Sequence, residues 1–249
     1  MSLRAPSPHR SLWLEQVAGD APDAPPLAGE LRADVAIVGG GYVGLWTALR
    51  IKELEPGCEV VVLEQDICGG GASGRNGGFV LTWWPKLSTL AALVGDAEAV
   101  RLCQASEDAI TEIRTFCETH QVDADFRQGG WLWTATSRAQ LGAWDAVVRI
   151  CDRAGVHPYT ALDPREVAAR SGSAVHLAGV LESKAAIVQP AALARGLRRV
   201  AQERGVRIFE HTRVRRFTRG RPVRLTTTGG TLSAERLVIA TNAWAASLR

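Results

Sequence analysis

The sequence is poor in the features that mark several protein classes. Its five cysteines are odd in number and none falls in a CxxC pair, which argues against a disulfide framework or a zinc site. The 29 basic and 26 acidic residues leave a net charge of only +3, without the basic excess of a dedicated nucleic-acid binder. No apolar run approaches the roughly 18 residues of a membrane span. We therefore expect a soluble, cytoplasmic protein with no membrane segment, no bound metal and no nucleic-acid partner.

Motifs of nucleophilic and metal-dependent catalysis are missing as well. The sequence contains no GxSxG, no HExxH and no cysteine–histidine constellation. The five histidines are scattered without the spacing of metal ligands. Chemistry by an activated nucleophile or an acid–base pair is therefore not indicated.

Glycine, by contrast, is concentrated in one region. Eleven of the 25 glycines lie between Gly39 and Gly78, where even spreading would put about four. The region follows an apolar run at 34–38, and apolar residues then recur at helical spacing to Leu54. A second apolar run at 59–64 completes a strand–helix–strand unit, whose two strands we expect to be parallel.

The run from Gly39 to Gly44 has the GxGxxG form, and its context makes it informative. It follows a strand, opens a helix and precedes an acidic residue, Glu64, at the end of the next strand. Gly39 would allow the tight turn, Gly41 the approach of a pyrophosphate, and Gly44 close packing of helix and strand. Glu64 would accept the hydroxyls of an adenosine ribose and disfavour NADP. The pattern predicts dinucleotide binding.

A second glycine-rich stretch, at 69–78, bears on which dinucleotide is bound. An NAD-binding domain would normally continue into a crossover helix here, whereas a flexible loop of small residues could follow the dinucleotide to a flavin ring. Arg75 and Asn76 are the side chains in this stretch with several hydrogen-bond donors, and they are the candidate catalytic residues, beside the flavin. FAD is therefore the expected cofactor, with NAD as the alternative.

The later pattern predicts further elements. A helix is expected from Pro190 to Arg204, followed by a strand at 206–209. A β-ribbon is predicted over 213–218 and 222–228, returning through 231–234, and a separate apolar strand over 237–241.

Residues 34–44, Glu64 and the GASGRNGG run at 71–78 resemble the D-amino-acid oxidase (DAO) superfamily of FAD-dependent oxidoreductases. The GRNGG motif is most similar to that of the gamma-glutamylputrescine oxidase-like branch. The resemblance continues through 188–190 and 240–244. It implies an α/β fold, α+β overall, in which a Rossmann-like FAD-binding domain carries an inserted and incomplete substrate domain.

The resemblance also implies a division of the chain. An extended N-terminal arm over 1–30, with Trp13 as its anchor, would precede a discontinuous FAD-binding domain over 31–83 and 188–249. A partial substrate domain would occupy 84–187.

Family members normally continue well beyond the strand that ends near Thr241. The chain is therefore expected to be a fragment or a shortened relative, with unpaired strand edges and exposed apolar surface through which it self-associates.

The family pattern places the cofactor on both glycine segments and on four later positions. Val214 would hold the adenine with its backbone, and 240–242 would pass close to the dinucleotide. The predicted cofactor-binding set is Gly39, Gly41, Tyr42, Val43, Gly44, Glu64, Gln65, Gly71, Ala72, Ser73, Gly74, Arg75, Asn76, Gly77, Gly78, Val214, Ala240, Thr241 and Asn242.

The implied activity is oxidation of the C–N bond of an amine or amino acid. A hydride would pass to flavin N5 of a non-covalently held FAD, with O2 as the acceptor and an imine and hydrogen peroxide as products. Two alternatives stay open at this point: an NAD-dependent dehydrogenase, and a truncated dinucleotide-binding protein without catalysis.

Overall fold

The computed structural model describes residues 10–17, 19 and 22–247. Its helices are α1 (Leu12–Gln16), α2 (Tyr42–Leu54), α3 (Leu87–Val94), α4 (Asp96–Thr119), α5 (Asp145–Arg153), α6 (Pro164–Ser171) and α7 (Pro190–Glu203). Its strands are β1 (Gly29–Val38), β2 (Val60–Leu63), β3 (Phe79–Val80), β4 (Trp131–Ala135), β5 (Tyr159–Leu162), β6 (Ala178–Glu182), β7 (Ala186–Ile187), β8 (Arg207–Phe209), β9 (Arg216–Thr218), β10 (Val223–Thr226) and β11 (Gly230–Ile239). Within these described ranges, no helix is long and apolar enough to cross a membrane.

The described residues divide into two compact units. Residues up to Gly77, together with His120–Ala124 and the residues from Gln189 onward, form the first unit. Gly78–Thr119 and Asp125–Val188 form the second. Each unit has its own sheets and its own buried side chains, and the first is discontinuous in sequence.

The first unit is built on a six-stranded sheet with the order β8-β2-β1-β11-β10-β9. The strands β8, β2, β1 and β11 are parallel neighbours, and β10 and β9 continue the sheet in antiparallel fashion. Strand β1 pairs with β11 from Gly29 opposite Gly230 to Val38 opposite Ile239. This topology confirms the predicted α/β class and the parallel pairing of the first two strands.

The sequence predicts two separate strands where the structure has one, so this prediction is wrong. The expected return at 231–234 and the separate strand at 237–241 are a single strand, β11. In the sequence, the charged pair Glu235 and Arg236 suggests that a strand ends there, and both residues are exposed. The strand continues through the pair because β1 provides a parallel hydrogen-bonding partner on both sides of it.

Side chains cover both faces of the sheet. All four residues of β2 are buried, as expected for a strand enclosed on two sides. On one face α2 and α7 pack against each other and the strands, burying Leu45, Ala48, Leu49, Leu193, Leu197 and Val200. The opposite face carries a cluster of Leu27, Ala36, Val38, Val61, Leu63, Val214, Leu225, Leu232 and Ala234. Helix α7 begins at Pro190, as predicted.

A short helix, α1, lies within the segment predicted to be an extended arm. Ser11 caps it, because its hydroxyl oxygen accepts the N–H of Leu14 at 3.2 Å. The buried anchor is Leu14, which packs against Ile67 and Ala191, and the predicted anchor Trp13 is only half-buried beside it. Residues 1–9, 18, 20 and 21 of the arm lie outside the described residues.

Glu210, directly after β8, is completely buried in the first unit. Its Oε1 accepts the N–H of Cys68 at 2.7 Å and Nη1 of Arg195 at 3.2 Å. Its Oε2 accepts the N–H of Ala24 at 2.5 Å and Nη2 of Arg198 at 2.9 Å. One carboxylate therefore joins the N-terminal segment, the loop after β2 and helix α7.

The second unit contains a three-stranded antiparallel sheet and a small ribbon. The sheet order is β4-β6-β5, and β3 pairs with β7 in the ribbon. Its core gathers side chains of α3, α4 and α5 with a residue from the preceding turn: Trp84, Leu87, Ala99, Val100, Cys103, Val147 and Cys151.

Removing the charge of Glu210 tests the role of this carboxylate. We expect Glu210→Gln to lower the free energy of unfolding by about 3–5 kcal/mol, because the buried Arg198 loses its counter-charge and the half-buried Arg195 keeps the more distant Asp23, at 3.9 Å. The control is Glu203→Gln on helix α7, whose exposed carboxylate pairs with Arg199 and should change stability by less than about 1 kcal/mol. Chemical denaturation measures both, and equal losses would contradict the assignment.

Candidate functional site

Four parallel strands of the first unit end at the same edge of the sheet. The residues that follow β1, β2, β8 and β11 are Gly39, Glu64, Glu210 and Ala240. The chain leaves β1 toward β2 on one side, while β11 lies on the other side of β1. In open α/β sheets this reversal of strand order opens a crevice at the carboxyl ends, where ligands bind.

The first glycine turn requires glycine for two physical reasons. Gly39 has a φ of +113°, which side chains rarely adopt, and a Cβ there would stand 2.5 Å from the carbonyl oxygen of Ala240. A Cβ on Gly44 would overlap the carbonyl oxygen of Gly39. Gly44 therefore allows α2 to pack directly on the turn, which is the role predicted from the sequence.

Gly41 places no side chain over the start of α2. It is the N-cap residue and has no side chain to bond the first-turn N–H groups, and no acidic residue lies in that turn. The neighbouring Val43 side chain is exposed. A helix N-terminus of this kind presents N–H donors and a positive dipole end to a phosphate group.

Glu64 is half-buried and held by two backbone groups. Its Oε2 accepts the N–H of Gly40 at 2.7 Å and its Oε1 accepts the N–H of Asp66 at 2.9 Å. Each carboxylate oxygen has a second lone pair, so the group can still accept two hydroxyl donors. Burial raises the pKa of Glu64, and the two backbone hydrogen bonds oppose that rise. Gln65 is half-buried beside it.

The second glycine stretch forms an ordered turn rather than the flexible loop expected from its composition. Ala72–Gly74 make one turn of 3-10 helix. Gly69 has a φ of +82°, and a Cβ there would come within 2.8 Å of the Ala194 Cβ on α7. A Cβ on Gly74 would overlap the carbonyl oxygen of Gly69. Glycine therefore serves close packing here, and the packing fixes the turn against α7.

The two glycine segments contact each other directly. The N–H of Tyr42, in the first turn of α2, donates to Oγ of Ser73 at 3.0 Å. A Cβ on Gly41 would lie 2.8 Å from the same Ser73 Oγ. The structure therefore brings together the residues that the sequence placed in one cofactor site from two separate segments.

Arg75 and Asn76 are exposed and hydrogen-bond within their own turn. Nε of Arg75 donates to the carbonyl oxygen of Gly70 at 2.8 Å. Nδ2 of Asn76 donates to the carbonyl oxygens of Ala72 and Ser73 at 3.2 and 3.0 Å. These contacts orient both side chains, and their catalytic role stays a prediction.

The boundary between the two units falls within the second glycine stretch. Gly71 and Gly77 are exposed residues of the first unit. Gly78 belongs to the second unit, where its carbonyl oxygen accepts the N–H of Val188 at 2.9 Å.

The later predicted positions lie at the end of β11 and in the loop before β9. Ala240 donates its N–H to the carbonyl oxygen of Val38 at 2.8 Å, and Asn242 has a φ of +50°. Oγ1 of Thr241 is buried and bonds to no group in the described part of the chain. A buried polar atom of this kind calls for a partner such as a ligand or water. The side chain of Val214 packs in the sheet core, so only its backbone is available to a ligand.

Gly40 is a site residue that the sequence prediction omitted. Its N–H holds Glu64, and a Cβ on it would stand 2.5 Å from Sγ of the buried Cys68. The available signal was its place between Gly39 and Gly41. Nothing in the sequence marks Cys68 as its neighbour.

These features fit a dinucleotide. The glycine turn is packed too closely for a side chain at Gly39 or Gly44, the start of α2 offers N–H donors, and Glu64 keeps acceptor capacity for a ribose diol. The groups that fit a dinucleotide all lie at the carboxyl edge of the parallel strands.

Comparison with known proteins gives the class. The family described as "DAO: FAD dependent oxidoreductase" matches residues 34–249. The chain therefore belongs to the DAO family of FAD-dependent oxidoreductases, which confirms the predicted family, the FAD cofactor and the oxidoreductase class.

The names of its relatives describe oxidoreductases and an oxidase. The probable oxidoreductase OrdL of Rhizobium meliloti is 29% identical over 253 residues, covering 100% of this chain and 58% of OrdL. Gamma-glutamylputrescine oxidoreductase of Escherichia coli is 29% identical over 215 residues, covering 86% of this chain and 50% of the relative. Among solved structures, glycine oxidase from Geobacillus kaustophilus matches with a TM-score of 0.72 at 25% identity, covering 87% of this chain and 57% of that one. The chain spans about half the length of the curated relatives it matches.

The raised pKa of Glu64 predicts how pH affects this site. Because the folded state holds the carboxyl proton more tightly than the unfolded state, the FAD-free protein should lose stability as pH rises from the ordinary value of 4.5 through the raised pKa. Ionised Glu64 accepts ribose hydroxyls best, so FAD affinity should rise over the same interval. Glu64→Gln should weaken binding about tenfold and flatten this pH dependence.

Flavin fluorescence titrations at several pH values measure the effect. Glu55→Gln is the matched control, since Glu55 is an exposed carboxylate just beyond the end of α2. An unchanged pH profile in the Glu64 variant would contradict the proposed role of this carboxylate.

Proposed function

We propose that the chain binds FAD non-covalently at the carboxyl edge of its parallel strands and, as part of an FAD-dependent oxidoreductase, oxidises the C–N bond of an amine or amino acid. The observation that carries the proposal is the junction of two glycine segments, 39–44 and 69–78, through Tyr42 and Ser73. A mononucleotide-sized phosphate site would need only the first segment. The second segment would extend the site, as the longer dinucleotide requires.

The residues of this chain would have distinct tasks. The N–H groups at the start of α2 would bind the pyrophosphate, and Glu64 would accept the ribose hydroxyls. The Val214 backbone would hold the adenine, and Thr241 would bond the dinucleotide with its buried hydroxyl. Binding at these positions would hold the adenosine part of the cofactor and so help to orient its reactive ring.

The chemistry itself depends on the cofactor. When bound, FAD supplies at N5 an acceptor for the hydride that leaves the carbon next to nitrogen, and its re-oxidation by O2 gives hydrogen peroxide beside the imine. Arg75 would orient an anionic substrate group or tune the flavin, because its Nε is already fixed on the Gly70 carbonyl. Asn76 would keep the same turn in place through its two carbonyl contacts.

The names of the relatives support the proposed substrate class. Gamma-glutamylputrescine oxidoreductase is named for an amine, and glycine oxidase for an amino acid. Both names describe substrates with a C–N bond that can be oxidised to an imine. The family match favours FAD over the NAD alternative, and the non-catalytic alternative is an outcome of the experiment below.

The first measurement is the visible absorption spectrum of the purified chain and of its supernatant after heat denaturation. We expect flavin bands that move into the supernatant, followed by peroxide formation with an amine or amino acid. Gly41→Ala should weaken FAD uptake about tenfold, since the new Cβ displaces Ser73. Gly57→Ala is the control, because a Cβ there meets nothing within 4 Å.

The outcomes separate the competing functions. Uptake of NAD in place of FAD would contradict the cofactor assignment. FAD uptake without turnover of any amine or amino acid would favour a non-catalytic dinucleotide-binding protein. The cytoplasmic location expected from the sequence stays a prediction.

We also propose that the chain self-associates through an apolar face of the second unit. Phe79 and Ile187 pair across the ribbon β3-β7 and are 72% and 44% exposed. Leu81 and Trp83 follow Phe79 at alternate positions and are exposed too. Exposed apolar side chains in such a row, on and just beyond a small ribbon, favour association.

Sedimentation or sizing at several concentrations tests this proposal. We expect a species larger than the monomer, which dissociates in the double variant Phe79→Ser with Ile187→Ser. Val175→Ser removes an exposed apolar side chain outside the row and should leave the mass unchanged. A wild-type monomer at all concentrations would refute the association.

A further inference from the structure

Two hydrogen bonds of Tyr42 begin a chain of contacts around the glycine segments. Its N–H donates to Ser73 in the second glycine segment. Its hydroxyl donates to the carbonyl oxygen of Pro190, the first residue of α7, at 2.8 Å. The start of α2 is therefore fixed to both the 3-10 turn and the start of α7.

The N-terminal segment closes this chain of contacts into a ring. Nε2 of Gln189, the N-cap residue of α7, donates to the carbonyl oxygen of Trp13 at 2.8 Å. The hydroxyl of Ser11 donates to the carbonyl oxygen of Gly74 at 2.5 Å. Gly74 adjoins Ser73, so the ring runs from α2 through α7 and α1 back to the second glycine segment.

Apolar and ionic contacts reinforce the ring on the same side. Leu14 packs on Ile67 and lies so close to Gly74 that a Cβ there would be 3.3 Å from its Cδ2. Nη1 of Arg10 pairs with Oδ2 of Asp66 at 2.7 Å. The short N-terminal segment thus touches the second glycine segment and the loop that leads into it, and reaches α7 as well.

We propose that residues 10–17 are a positioning segment for the FAD site. They act through Gly74 and its neighbours, holding the second glycine segment against the first before the cofactor arrives. The assignment rests on the proposed FAD binding. The family match begins at residue 34, so it gives the segment no role. Ordering a glycine-rich turn in advance removes an entropic cost that cofactor binding would otherwise carry.

The test compares three substitutions at Ser11. Ser11→Ala removes both the cap of α1 and the donor to Gly74. Ser11→Asp keeps an acceptor for the Leu14 N–H but cannot donate to the Gly74 carbonyl, so it separates capping from positioning. Ser11→Thr keeps both functions and should restore wild-type behaviour. Leu12→Ala changes an exposed residue of the same helix and is the control.

Two readouts are needed. In the FAD-free protein, hydrogen exchange of the Gly74 and Arg75 amides, which close the 3-10 turn, should be about five- to tenfold faster in the Ala and Asp variants. Their FAD dissociation constants should rise by a similar factor, and the Asp variant, which keeps the cap of α1, should keep the melting temperature of the FAD-free chain. Ser11→Ala and Ser73→Ala should be non-additive in FAD affinity, because both act on one turn.

The outcomes distinguish the two proposals. Unchanged exchange and FAD affinity in the Asp variant would overturn the positioning role while leaving FAD binding intact. Faster exchange with unchanged affinity would also overturn it, since the turn would then be ordered for stability alone. A wild-type chain that binds no FAD would overturn both the positioning role and the proposed function.

Discussion

A single buried carboxylate, that of Glu210, determines how three distant segments meet in the first unit. It accepts hydrogen bonds from the N-terminal segment, from the loop after β2 and from two arginines of α7. Such a buried ion pair adds little stability over a well-packed apolar replacement. Its value is geometric: the segments must arrive in one arrangement for the carboxylate to be satisfied. That arrangement sets the loop from Cys68 that continues into the second glycine segment.

The proposed dinucleotide site is built from backbone more than from side chains. Gly39, Gly41 and Gly44 let peptide groups approach each other and a ligand, and Glu64 is oriented by two backbone N–H groups. The side chain of Ser73 then fixes the glycine segments to each other, because its hydroxyl oxygen accepts the backbone N–H of Tyr42. Flexible residues become a defined surface because their neighbours leave them one conformation.

Local pattern predicted the β1-α2-β2 unit and its glycine turn, because apolar runs, helical spacing and the glycines lie close together in sequence. Local pattern does not predict the pairing of β1 with β11, because nothing in an apolar strand specifies a partner that is distant in sequence. Without that partner, the sequence predicts two strands where the structure has the single strand β11. Composition also suggested a flexible second glycine stretch. Contacts of Gly69 and Gly74 that appear only on folding make it an ordered turn.

The parallel pairing of β1 with β11 has a consequence for synthesis of the chain on the ribosome. Strand β1 is made early, but its neighbour on one side is Gly230–Ile239, and its neighbour on the other side, β2, itself pairs with β8 at Arg207–Phe209. The second unit between them can fold first, because its sheet and ribbon lie within residues 78–188. The nascent first unit must therefore keep one apolar edge of β1 uncovered until Gly230–Ile239 has been made, which makes it the part most dependent on protection from aggregation.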